Sequence, residues 1–159
     1  MRFLNIICSM ALLFGIYSCG NNAEQQAQKK IDEGQKKQQE ELWDQVMAIH
    51  DEVMPLMGEV NQYSRNLKSN ISDGKIPEEF SEKTDSVLKK LEDAHEKMFD
   101  WMANFKQLDS LRDSLSHGEI LDYLKKEQVS VTGVKVAILG SIEESKALIN
   151  ILTQKVQEQ

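Results

Sequence analysis

From Leu42 onward the apolar residues recur in steps of four and three without a break: Leu42, Val46, Ile49, Val53, Leu56, Val60, Tyr63 and Leu67. A second run does the same through Phe80, Thr84, Val87, Leu91, Ala94, Met98, Trp101, Phe105 and Leu108. This alternation is a heptad seam: each run lines one side of a helix and needs an apolar partner along its length. As strands, either run would scatter these residues over both faces. A third run follows Ser116 and comprises Leu121, Leu124, Val131, Val134, Ile138, Ile142, Ile149, Leu152 and Val156. Ser116 and Glu119 fit a capping box, in which Ser caps free N–H groups and Glu reaches back. Gln128 and Ser145 interrupt the third stripe, and Gly133 and Gly140 weaken the helix by about 1 kcal/mol each relative to Ala. Val134, Val136 and Ile138 alternate as a strand would, but a lone strand has nothing to pair with and the chain offers no second one. Residues 108–115 read as a helical extension or a second loop.

Asp73-Gly74 between the first two runs is turn chemistry, and Pro77 suits the first position of a new helix. A short turn makes neighbouring helices antiparallel. The expected fold is therefore all-α: an antiparallel three-helix bundle with coiled-coil-like heptad packing and helices over residues 42–70, 77–108 and 117–157. At 1.5 Å rise per residue its length is roughly 45 Å. An intermolecular coiled coil is the rival architecture, and two turns within one chain favour folding back. Pro55 is the anomaly. Inside a helix it removes a backbone hydrogen bond at a cost of about 3 kcal/mol, and Gly58 follows three residues later. It either bends the first helix around its partners or exposes a recognition surface beside His50, Trp101 and Met102.

The first 41 residues have a different character. Residues 1–18 combine Arg2 with an apolar run and read as a secretory leader, too short to cross a bilayer core of roughly 20 helical residues. The run ends Ile16-Tyr17-Ser18-Cys19-Gly20, a lipobox pattern that makes Cys19 the lipidated residue. The remaining Cys, Cys8, leaves with the leader, so the mature chain has neither a disulfide nor a free thiol. Residues 19–41 are the lipidated Cys and a polar tether, disordered or weakly helical, because Ile31 is its single large aliphatic. As a coil of about 20 residues it would span roughly 25 Å. The body is residues 42–159. The formal net charge of −7 becomes one unit more negative when Arg2 is lost. An acidic chain without a basic patch makes nucleic acid a poor partner.

One cluster stands out for chemistry. If Asn70 and Pro77 bracket the turn, His50 is level with residue 97, near His95 and Met98, with Met47, Met54, Met57 and Met102 at neighbouring heights. Soft thioether and imidazole ligands suit Cu(I), which gives a Met/His copper-binding protein as the alternative function. Core filling is the plainer account, since Met98 lies on the seam and Met commonly fills core gaps. Asp51, Glu52, Asp93, Glu96 and Asp100 offer carboxylates nearby, but with interleaved Lys, Arg and Gln and no Gly-bearing ligand loop they read as a solvated face. No phosphate loop, Ser/His/Asp set or His–Glu zinc motif is present, so the expectation is no enzyme, no catalytic residue, no cofactor and no resident metal. His50, Asp51, Pro55, Asp100, Trp101 and Met102 form the candidate interaction surface.

The segments WDQVMAIHDEVMPLMGEV (residues 43–60) and MFDWMANF (residues 98–105) resemble a group of small Bacteroidota lipoproteins that often carry the label "viral A-type inclusion protein". The resemblance covers most of the chain after the leader. The third helix departs from it, being richer in Val and Gly over VSVTGVKVAILG. The resemblance supports lipidation at Cys19 and brings no catalytic residues. Together these readings give a lipid-anchored envelope protein at the periplasmic face of the outer membrane. It would be a non-enzymatic helical scaffold holding an envelope protein partner. A bundle that binds a lipid or another apolar ligand is a third reading.

Overall fold

A computed structural model describes residues 20–157 of the chain, with side chains described over residues 32–155. The leader (1–18) and Cys19 lie outside the described residues. Everything described is helical or connecting, with no strand among the described residues: α1 (Gly20–Val53), α2 (Met57–Ser72), α3 (Ser81–Asn104), α4 (Leu108–Ser114) and α5 (His117–Gln157). No helix among the described residues is long and apolar enough to cross a membrane. The chain divides into two compact units, Met1–Gln38 and Gln39–Gln159.

In the first unit the described residues belong to α1, where the composition led us to expect a disordered or weakly helical tether. Ala, Gln, Glu and Lys are all strong helix formers, and only Gly34 among residues 32–38 opposes them. The second unit starts three residues before the expected start of the body at Leu42. Gln39 is buried, accepting from Arg112 Nε through its Oε1 at 2.9 Å and meeting His117 Nδ1 through Nε2 at 3.2 Å. Arg112 also reaches Glu40 at 2.9 Å.

The expected single helix over 42–70 is interrupted. α1 ends at Val53, Met54–Leu56 form one 3₁₀ turn, and α2 begins at Met57. Pro55 sits at the start of that turn, whose capping N–H, from Met57, donates to Met54 O. Tightening to i→i+3 bonding accommodates the missing donor, and Val53, Met57 and Val60 remain buried in one core. α2 ends on Asp73-Gly74, where Gly74 has φ +64°, the left-handed conformation that Gly adopts at least cost. Gly74 N donates to Ile71 O at 3.1 Å and Lys75 N to Asn70 O at 2.9 Å. Pro77 is not the first residue of the next α-helix. It precedes a 3₁₀ turn, Glu78–Phe80, and α3 follows from Ser81. α3 stops at Asn104 rather than 108, because Phe105 is extended (φ −68°, ψ 124°). Residues 108–114 then form a separate short helix, α4.

α5 has the expected bounds, and Ser116 with Glu119 makes the expected capping box. Glu119 Oε2 accepts from Ser116 N at 2.9 Å and from Ser116 Oγ at 2.6 Å, while Glu119 N donates to Ser116 Oγ at 3.5 Å. The bond from the Ser116 hydroxyl, then that from its backbone N–H, holds the Glu119 carboxyl below its ordinary range.

The first two expected stripes are all buried or half-buried, and α1, α2, α3 and α5 share one core around Val53, Leu67, Leu91, Met98, Val131 and Ile138. A smaller cluster of Leu111, Ile120 and Leu124 joins α4 to the start of α5. The third stripe needs correction. Ile120 and Leu148 are the buried residues where Leu121 and Ile149 were expected, and Ser145 does not interrupt the seam but lies on it. With Ser141 and Ser145 included, burial on α5 steps by three and four from Val131 to Leu152. Both hydroxyls are satisfied locally, Ser141 Oγ donating to Ile138 O at 2.9 Å and Ser145 Oγ to Ser141 O at 2.7 Å. A serine that returns its proton to its own helix behaves as a small core residue.

Cross-helix pairs fix the register. Lys68 meets Glu92 at 2.8 Å, Lys90 meets Glu144 at 2.7 Å, Lys135 meets Glu52 at 2.6 Å and Lys146 meets Glu59 at 3.0 Å. On α1 and α5 the order rises together, since Gln45 meets Gln128 at 3.2 Å. Leu148→Ala is expected to cost about 2–5 kcal/mol and Ile149→Ala clearly less, measured by urea denaturation. The opposite ranking would return the seam to Ile149.

Candidate interaction site

A chain of rings joins four segments of the second unit. The His50 ring of α1 lies 5.6 Å from Trp101 of α3, and Trp101 stacks on Phe105 at 4.7 Å and 23°. Phe105 in turn lies 6.2 Å from Trp43 of α1 and 6.3 Å from Tyr123 of α5. Each such pair contributes about 0.5–1.5 kcal/mol beyond area burial. Tyr123 Oη accepts the Lys106 N–H at 2.8 Å. Burial raises the Tyr123 pKa, outweighing that hydrogen bond, which lowers it. The Nε1 groups of Trp43 and Trp101 are buried with no hydrogen-bond partner, and an unmet buried donor of this kind costs about 1–3 kcal/mol.

The expected surface residues divide. His50 and Trp101 come together, one turn further along α3 than residue 97. The hairpin turn is later in the chain than Asn70 and Pro77 would bracket, because α2 runs to Ser72 and α3 starts at Ser81. His50 is largely buried, with Nδ1 2.8 Å from Oδ1 of the exposed Asp51. Trp101 is only 7 % exposed, so it supports the surface from beneath rather than presenting itself. Met102 is half-buried against the core and Asp100 is exposed. Pro55 is exposed, roughly 7.5 Å along the axis from His50 at 1.5 Å per residue.

The metal candidates go separate ways. His95 packs on Phe99 of its own helix at 4.6 Å, and Phe99 and Trp101 point roughly 160° apart around α3. The two imidazoles therefore lean on rings of different faces. Met98 is fully buried in the core. No group of three or more His, Cys, Asp or Glu among the described residues is arranged to hold a metal ion.

What the sequence did not bring forward is a trough between α3 and α5. One section, of about 470 Å³, has Lys97, Asp100, Trp101 and Asn104 on the α3 wall and Glu127, Ser130, Gly133 and Val134 on the α5 wall. A second section, of about 290 Å³, shares Lys97 and passes Ala137, Gly140 and Ser141. Small residues on α5 make the trough: a Cβ added at Gly133 or Gly140 would meet nothing within 4 Å. The i, i+4 spacing of Trp101 and Phe105 was a legible signal for the ring stack. Trp43 and Tyr123 lie off the expected stripes and gave none.

Two outcomes follow from the rings. Trp101→Ala is expected to cost about 3–5 kcal/mol. Trp101→Phe should cost markedly less, because it keeps an aromatic plate and removes the unmet N–H; equal losses in urea melts would show that the N–H is satisfied. Tyr123 is favoured neutral in the fold, so its contribution is complete below the ordinary phenol pKa of about 10. That contribution is lost as pH rises through the elevated folded value. The stability difference between the native chain and Tyr123→Phe should therefore narrow above about pH 10, as read by denaturation across alkaline pH.

No curated protein matches the chain, and no solved structure matches it. A family model does, over residues 1–125. That span takes in residues 1–19, α1 to α4 and the first turns of α5, including all five rings. By this match the chain belongs to the family described as the fungal specific transcription factor domain.

Proposed function

We propose that this chain is a non-enzymatic helical interaction module, its second unit an antiparallel three-helix bundle, held at a membrane by a lipid on Cys19. The observation that carries the module reading is the trough. Charges of both signs, Lys97, Asp100 and Glu127, border a groove whose α3 wall is backed by Trp101. Recognition sites commonly combine a concave apolar lining with a few polar groups around it. Opposite-order contacts of α3 with its neighbours and a single shared core support the bundle. The anchor reading rests on the lipobox pattern ending at Cys19. It keeps the periplasmic face of the outer membrane as the place of work and an envelope protein as the partner.

The family match favours a second reading, in which the helical body is part of a transcription regulator. A net charge of −7 disfavours phosphate binding, which relies on clustered basic side chains. In that setting too it would work through protein contacts.

Both readings meet one experiment. Photo-reactive residues at the exposed Asp100 and Asn104 are compared in living cells with one at Lys83, remote from the trough, in the native chain and in Cys19→Ala. The expected result is one partner captured at Asp100 and Asn104 but not at Lys83, with Cys19→Ala shifting the chain out of the membrane fraction. Equal capture at all three sites would sink the trough as a recognition surface. Unchanged fractionation of Cys19→Ala would remove the lipid anchor and leave the regulator reading.

A further inference from the structure

α5 is apolar on two sides. One is the buried seam of Leu124, Val131, Val134, Ile138 and Leu148. On the opposite side Val129 is 76 % exposed, Val136 67 % and Leu139 42 %. Thr132, also exposed, completes steps of three and four between them. β-branched residues lower helix propensity, so exposed valines in a long helix weaken it unless something covers them. Exposed apolar residues aligned on one helix face and bounded by charge fit an association surface.

The same steps continue beyond the strip in both directions. Asp122 and Lys125 precede it, Glu143 and Lys146 follow it, and all four are exposed. A second α5 laid antiparallel, with its two-fold axis level with Val134, brings Asp122 against Lys146 and Lys125 against Glu143. The same placement sets Val129 against Leu139 and Thr132 against Val136, and every pair occurs twice. Sliding one heptad either way sets Leu139 against Asp122, or Val129 against Lys146. A parallel pair in register sets each of the four charges against itself. Opposite charges flanking a seam select partner orientation, and like charges exclude the alternatives. One arrangement satisfies both the apolar and the charged positions.

We propose that the outer face of α5 is a homodimer interface, occupied by α5 of a second copy of this chain running antiparallel. Gly133 and Gly140 flank the strip with open space where a Cβ would stand, which lets the partner helix approach closely. Lys146 already meets Glu59 at 3.0 Å, so the pair of Lys125 with Glu143 is the sharper determinant of register. The proposal is independent of the lipid anchor; it shares Gly133, Val136 and Gly140 with the α5 wall of the trough, and sedimentation reads it apart from capture at Asp100 and Asn104.

The test is sedimentation equilibrium of the full chain in non-ionic detergent at low salt, over a concentration series. The native chain should show a monomer–dimer equilibrium. Lys125→Glu and Glu143→Lys should each weaken it roughly tenfold or more, since each places two like-charge contacts in the dimer. The double reversal should recover most of the loss. Val136→Asp should abolish the dimer while leaving the urea midpoint of the dilute, monomeric chain unchanged, because Val136 is mostly exposed. A chain that stays monomeric throughout would overturn the proposal. So would charge reversals whose effects simply add, or association indifferent to Val136→Asp.

Discussion

The fold depends on the burial of one narrow stripe on α3. Val87, Leu91, Ala94, Met98 and Trp101 are all 7 % exposed or less, and this stripe serves two neighbours at once, α2 with the end of α1 on one side and α5 on the other. Burying a large apolar side chain contributes about 1.5–3 kcal/mol. A surface ion pair contributes about 0–1 kcal/mol. The stripe therefore supplies the stability, and the ion pairs on its borders, Lys68 with Glu92 and Lys90 with Glu144, choose the register. α3 is also where the ring chain and the trough meet, through Trp101.

The two stripes that follow heptad spacing cleanly were legible as they stand, because nothing but a helix keeps such residues on one side. The third was read one residue out at each end, Leu121 for Ile120 and Ile149 for Leu148. By residue type a serine reads as an exit from the seam, whereas Ser141 and Ser145 close their hydroxyls onto their own backbone. The strand-like alternation of Val134, Val136 and Ile138 has a related cause. It is two helical faces interleaved, Val134 and Ile138 inward and Val136 outward. Pro55 reads as a bend within one helix, whereas a 3₁₀ turn at Met54–Leu56 divides that helix in two. Of the candidate site, the pairing of His50 with Trp101 was legible at one turn's error. The trough was not, because it is made by side chains that are absent: Gly133 and Gly140 leave space, and space has no periodicity.

The family match adds a boundary of its own. It ends at residue 125, so the rings lie within the matched span and the strip from Val129 to Leu139 lies wholly beyond it. Beyond residue 125 the outward strip interleaves with the buried residues Val131, Val134 and Ile138 of the same helix. A surface that does not help pack the body can change its partner without disturbing the fold.

α5 also shows why its outward strip differs from incidental surface hydrophobicity. Inside the body, α3 meets α2 and α5, and α5 meets α1 and α2, through buried apolar residues with opposite charges beside them. Lys135 reaches Glu52 and Lys146 reaches Glu59 across the joint between α5 and the first two helices. The outer strip repeats that form along its length, with Asp122 and Lys125 at one end and Glu143 and Lys146 at the other. Scattered exposed valines would carry no such order. Because the strip is its own complement only when reversed, a single helix supplies both halves of the joint, and a two-fold dimer is the smallest assembly that uses it.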